Sequence, residues 1–100
     1  MIQPDYSKLD DILSSKIRLG IVSLLVTAEI AEFTYIKEIL GLTDGNLSTH
    51  LKKMDEAGYV SIEKSFSKNK PKTTVKITSK GLNAFNEYVS FLENIIQNRK

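Results

Sequence analysis

The chain contains no cysteine, and only one histidine and two prolines in 100 residues. Without cysteine there is no disulfide framework, thiolate zinc site, catalytic thiol or iron–sulfur cluster. A single histidine, His50, argues against a histidine-built metal centre or a base–nucleophile pair. The five glycines are scattered at helix ends and turns, so no glycine-rich loop cradles a phosphate. Ser14 and Ser15 have no evident base partner. Asp10 and Asp11 are adjacent, and helical neighbours diverge by about 100°, so they read as a solvated face rather than a converging carboxylate pair. No catalytic site and no cofactor are expected. Long apolar runs are also missing. The longest uncharged stretch, Leu19 to Ala28, is ten residues, well short of a membrane span. Asp5, Asp10 and Asp11 stand where a signal peptide would carry positive charge. No membrane partner is expected, and a cytoplasmic location is.

Hydrophobic residues make up 41% of the chain, enough for one modest core, and residues 1–100 are expected to form one domain. The net charge of +2 hides an asymmetry. Residues 1–43 carry four basic and six acidic side chains, whereas residues 44–80 carry eight lysines against four acids. From Lys64 to Lys80 there are six lysines and no acid. Such a segment suits a polyanion partner, or keeps an exposed hairpin soluble.

The periodicity predicts helices, then a hairpin, then a helix. Tyr6, Leu9 and Leu13 suggest a short amphipathic first helix. A second places Ile17, Ile21, Leu24, Leu25 and Ala28 on one face, with Gly20 available for a close helix contact. Thr34 is the expected N-cap of a third, with Ile36, Ile39 and Leu40 inward and Gly41 as its stop. Thr43 or Asp44 caps a fourth, striped by Leu47, Leu51, Met54 and Ala57 and ended by Gly58. The period then falls to two. Val60, Ile62 and Phe66 alternate with polar residues, Lys64 breaks the pattern, and Ser67 to Lys72 reads as a polar turn before Val75 and Ile77. Thr78 caps a last helix, from about residue 79 to 98. That helix has two apolar stripes. One is Leu82, Phe85, Val89, Leu92 and Ile96; the other is Ala84, Tyr88, Phe91 and Ile95. One face normally suffices for a surface helix. The second stripe is expected to be covered by a second copy of the chain, with Tyr6, Leu9, Leu13, Tyr88, Phe91, Leu92 and Ile95 in the interface. The alternative cover is the same chain's own N-terminal segment. Tyr6, Tyr88 and Phe91 could also line a pocket for a small-molecule effector, but interface core explains them better.

The fold class is mainly α with a small antiparallel β hairpin. It reads as a winged helix-turn-helix with extra N- and C-terminal helices: helix-turn-helix at about 34–58, wing at about 59–78 and terminal dimerisation helix at about 79–98. The run Leu42-Thr43-Asp44-Gly45-Asn46-Leu47-Ser48-Thr49-His50-Leu51-Lys52-Lys53-Met54 closely resembles the recognition segment of small winged-helix transcriptional regulators. So does its continuation to Val60. A basic wing with proline, Lys70-Pro71-Lys72-Thr73-Thr74, and a Thr-x-x-Gly entry to the last helix, Thr78-Ser79-Lys80-Gly81, extend the likeness. The group is MarR/ArsR-like, of the "winged helix DNA-binding domain" type, and the resemblance covers about residues 15–95. It implies a homodimer that binds double-stranded DNA and regulates transcription. It also implies a recognition helix in the major groove and a wing on backbone or minor groove. The thiolate sensing of the metal-responsive branch is excluded by the absent cysteines.

With Leu47, Leu51 and Met54 inward, Gly45, Asn46, Thr49, Lys52, Lys53 and Glu56 point away from the core, and Ser48 and His50 flank the stripe. The expected base or phosphate contacts near the helix start are Gly45, Asn46, Ser48 and Thr49, with Lys52 and Lys53 on phosphates. In the wing, Lys68, Lys70 and Lys72 are the phosphate candidates, with Asn69 at the tip, and Lys64 and Lys76 could extend the patch. His50 is expected to pack rather than read a base. Asp44 is expected to favour the helix start as an anion. A two-fold dimer would prefer a pseudo-palindromic operator with half-sites about one turn apart. The rival reading is a winged helix used as a protein–protein interaction module without specific DNA binding.

Overall fold

The computed structural model describes residues 4–98. Its N-terminal segment corrects the first expectation. A single 3-10 turn, Tyr6–Lys8, stands where an amphipathic helix was predicted. The cause is local. Asp5 accepts from the Ser7 amide and hydroxyl, and Asp10 Oδ1 accepts from the amides of Ile12 and Leu13, both at 2.8 Å. Aspartate side chains that take backbone donors two and three residues on offer the chain turns instead of helix.

Four α-helices follow. Helix α1 (Lys16–Ala28) is capped by Ser15 and buries Ile21, Val22 and Leu25. Ala28, expected inward, is exposed. Helix α2 (Phe33–Leu40) begins after Glu32 with no side-chain cap, so Thr34 is not its N-cap. It buries Ile36 and leaves Ile39 57% exposed. Gly41 ends it in the left-handed region at φ 65°. Helix α3 (Asp44–Glu56) is capped by Thr43, whose side chain accepts from the Asn46 amide, and buries Leu47, Leu51 and Met54. Helix α4 (Ser79–Gln97) is capped by Thr78.

A three-stranded antiparallel sheet lies in the order β1-β3-β2, with β1 Ile30–Glu32, β2 Val60–Ser67 and β3 Lys70–Ile77. Strand β1 was not foreseen: three residues carry no readable period. The hairpin register pairs Val60 with Ile77, Ile62 with Val75, Lys64 with Thr73 and Phe66 with Pro71 on one face. The turn is only Lys68 and Asn69, both at positive φ (54° and 64°), so Lys70 to Lys72 belong to the strand. Strand β1 covers β3 only at Thr74 to Lys76. From there to its tip the hairpin is two-stranded and carries no buried residue.

The core gathers Leu13, Ile21, Val22, Leu25, Ile36, Leu47, Leu51, Met54, Val60, Val75 and Tyr88. The stripes of α4 divide in a way the sequence left open. Tyr88 and Phe91 are buried within the chain, and the Tyr6 ring meets Phe91 edge-on at 6.3 Å. The other stripe stays open: Leu82 and Leu92 are each 38% exposed and Ile96 is 59% exposed.

Candidate nucleic-acid interface

The recognition face follows from the core. Because Leu47, Leu51 and Met54 are spent inside, helical geometry turns Gly45, Asn46, Ser48, Thr49, Lys52 and Lys53 outward, and all six are exposed. Among the described residues the Asn46 side-chain amide has no hydrogen-bond partner. Its backbone N–H is taken by Thr43, so the amide is free to present a donor and an acceptor together. The Thr49 hydroxyl donates back to the Gly45 carbonyl at 2.9 Å, which keeps its oxygen available only as an acceptor. Lys52 and Lys53 have no acidic partner among the described residues. Asp44 is held by Lys37 of α2 at 2.8 Å, so the acid at the start of α3 is neutralised from the preceding helix.

The sequence missed what holds α3 in place from behind. Arg18 of α1 donates from Nε to the Ile12 carbonyl at 2.8 Å and lies 3.1 Å from Nδ1 of His50. A guanidinium only donates, so His50 Nδ1 is the acceptor and the proton sits on Nε2. Partial burial, then Arg18 and Lys53 nearby, hold the His50 pKa below the ordinary value. His50 is half-buried, as expected of a packing residue. Asp10 is not the solvated carboxylate expected. Its Oδ2 accepts from the Tyr59 hydroxyl at 2.5 Å, just past the end of α3. Burial, and then that bond, push the Tyr59 phenol up to about 12. These contacts join residues 32 and 49 positions apart, which no local pattern signals.

In the wing, Lys68, Asn69 and Lys70 are exposed at the tip. Lys72 is half-buried and lies 4.0 Å from Glu32 of β1, which removes part of its charge from solvent. Lys64 shares the core-phase face, while Lys70, Lys72 and Lys76 lie on the opposite one. The hairpin thus carries cations on both faces, and Phe66, 77% exposed, stands among them. Of the residues expected between subunits, Tyr6, Leu9 and Leu92 are exposed and Ile95 is half-buried. Leu13 is fully buried, and Tyr88 and Phe91 nearly so, within their own chain. They have little surface left for a partner, because the N-terminal turns already lie over the face of α4 that was expected to need one. Among the described residues no helix is long and apolar enough to cross a membrane, and no group of side chains could hold a metal ion.

Comparison with known proteins agrees with this fold. Residues 17–96 match the family model described as a winged helix DNA-binding domain. An uncharacterised protein of Methanocaldococcus jannaschii is 50% identical over 78 residues, covering 78% of this chain and 85% of that one. The structure of a transcriptional regulator homologue from Pyrococcus horikoshii OT3 superposes with a TM-score of 0.87 at 30% identity, covering 96% of each chain. The PcaV transcriptional regulator of Streptomyces coelicolor gives a TM-score of 0.72 at 13% identity. That match covers 92% of this chain and 69% of that one, a likeness of fold.

Proposed function

This chain belongs to the winged helix DNA-binding domain family and is a DNA-binding regulator, and from that premise we propose that it acts as a homodimer on a pseudo-palindromic duplex operator. Helix α3 enters the major groove and the wing rests on backbone or minor groove. One observation carries this: the outward face of α3 is polar, its Asn46 amide and its Lys52 and Lys53 have no partner among the described residues, and its inward face is fully spent on the core. Asn46 reads a base edge, as an amide can by bonding adenine twice. Ser48 accepts or donates beside it, Thr49 accepts, and Gly45 lets the backbone approach a phosphate. Lys52, Lys53, Lys68, Lys70 and Lys72 hold phosphates. The dimer forms through the open stripe of α4, with Leu92 at its centre and with the half-buried Ile95 of the neighbouring stripe, Tyr6 and Leu9 at its edge.

Ten lysine–phosphate contacts per dimer give a log-affinity against log-salt slope of about −9. The test is a fluorescence-anisotropy titration on selected and scrambled duplexes. Lys68→Ala with Lys70→Ala weakens all duplexes alike. Asn46→Ala relaxes preference at one base position, worth about 1–3 kcal/mol of discrimination. Equal losses from both variants on every duplex would contradict the division between reading and docking. Absence of binding at low salt would favour a protein-contact module instead.

A further inference from the structure

Phe66 is the most exposed large apolar side chain among the described residues, at 77%. It faces Pro71 across the hairpin, one register step before the last pair, Ser67 and Lys70. Alternation puts it on the same face as Val60 and Ile62, but the body of the protein stops short of it: Val60 is buried, Ile62 half-buried and Lys64 exposed.

Lysines on a protruding edge strand keep it from pairing with other chains. That alone would account for Lys64, Lys68, Lys70 and Lys72. It does not account for an aromatic ring in their midst, because an exposed apolar edge is the hazard such lysines guard against. Ring and cations together fit a surface that is itself apolar and bordered by anions. The DNA minor groove is such a surface, walled by deoxyribose and edged by phosphates. The tip is also shaped for a narrow site. Two consecutive residues at positive φ reverse the chain in the shortest hairpin turn, and a lysine is kept at the first of them, where glycine or asparagine is preferred.

We propose that Phe66, with Pro71 beside it, is the apolar contact of the wing with DNA. Its ring packs against deoxyribose edges inside the minor groove. Lys64 on its own face, and Lys68 and Lys70 around the turn, hold the flanking phosphates. This rests on the DNA-binding reading of the wing and adds to it a contact that is not electrostatic.

The two kinds of contact separate in salt. The full chain is titrated onto a mixed-sequence duplex across a range of salt concentrations, as wild type, Phe66→Ala, Phe66→Leu and Lys70→Ala. A ring releases no counterions, so Phe66→Ala lowers affinity about tenfold with the slope against salt unchanged, and Phe66→Leu recovers part of the loss. Lys70→Ala makes the slope shallower by about 0.9 for each subunit. Netropsin, which occupies the minor groove, competes with the wild type and much less with Phe66→Ala. The ring is exposed, so the thermal midpoint of Phe66→Ala stays at the wild-type value. Equal affinity of wild type and Phe66→Ala overturns this inference and leaves the DNA-binding reading standing. A wild type that binds no duplex at low salt overturns both. A change of molecular mass in Phe66→Ala by light scattering assigns the ring to contact between copies and also overturns it.

Discussion

Gly81 and Gly20 both sit in helices, and they will answer substitution in opposite ways. A Cβ on Gly81 would fall on the Tyr59 carbonyl oxygen and within 3.1 Å of the Tyr59 Cα. That is backbone, tied to the Thr78 amide at 3.1 Å, while the Thr78 hydroxyl donates to the Gly58 carbonyl at 2.6 Å. The Thr-x-x-Gly entry is therefore a single joint: threonine caps the helix and glycine lets its first turn lie against the preceding chain. Gly81→Ala should destabilise by about 1–3 kcal/mol, read from urea midpoints. Gly20 was expected to serve a close helix contact. A Cβ there meets only the Leu40 side chain, Cδ2 at 3.5 Å and Cδ1 at 3.8 Å, ordinary van der Waals distances. Gly20→Ala should stabilise by about 0.5–1 kcal/mol, the helix-propensity difference. At the same scale, His50 makes the fold acid-sensitive. Its pKa is lowered on folding, so the unfolded chain takes up the proton first as pH falls below the ordinary value of 6.5. Its contribution is complete above that pH and is lost below it. Thermal melts at pH 7.5 and 5.5 should show a smaller shift for His50→Asn than for wild type. Asparagine keeps an acceptor for Arg18 but does not titrate, and an unchanged pH shift would remove His50 as the cause.

Among the elements, the wing turn combines strain and charge. Lys68 holds a left-handed backbone at φ 54°, a conformation costing a branched-free L side chain about 1 kcal/mol and asparagine less. Lys68→Asn should raise stability by about 0.5–1 kcal/mol. For the proposed dimer it should also make the salt slope for DNA shallower by about 1.8, one phosphate contact per subunit. A variant that gained stability with no change in slope would show that the lysine sits there without touching phosphate. The elements also show where the sequence was legible. Helix α3 and the hairpin could be read because their inward residues recur at one period and because Thr43, Thr78, Gly41 and Gly58 mark their ends. The exposed face of α3 followed directly, since placing Leu47, Leu51 and Met54 leaves no choice for Asn46 or Lys52. Strand β1 was hidden because it is three residues long and pairs with β3 more than forty positions away. The first helix was misread because Asp5 and Asp10 compete for its amides. Phe66 looked like an inward strand residue, for nothing in an alternating pattern tells where the core beneath it ends. Arg18, which positions His50, carried no signal at all.

At the scale of the whole molecule, the decisive feature is the stripe of α4 that the chain leaves uncovered. Both stripes are apolar, and only packing could decide which one the N-terminal turns would cover. They cover Phe91, against which the Tyr6 ring packs, while Tyr88 of the same stripe is buried in the core cluster. What remains is the stripe Leu82, Phe85, Val89, Leu92 and Ile96, spaced alternately three and four residues apart, the seam spacing of packed helix pairs; Leu82, Leu92 and Ile96 are exposed, Val89 is half-buried and Phe85 is half-buried against the core. From Leu82 to Ile96 the seam runs along about 21 Å of the helix axis. The molecule is elongated, measuring 61 × 25 × 21 Å. A second copy, related by a two-fold axis, would bury this seam against itself and present two α3 helices to one duplex. Leu92→Glu should then give a folded monomer by light scattering, because Leu92 is 38% exposed and its loss opens no cavity within the chain. The same charge at Tyr88 should unfold the protein, since Tyr88 is only 9% exposed. DNA affinity separates the two effects. A folded monomer holds one half-site and forgoes the effective concentration that ties the second subunit to its own, a loss of about 100-fold or more. If Leu92→Glu kept the wild-type mass and affinity, the open stripe would not be the dimer seam, and the two-fold reading of the operator would fall with it.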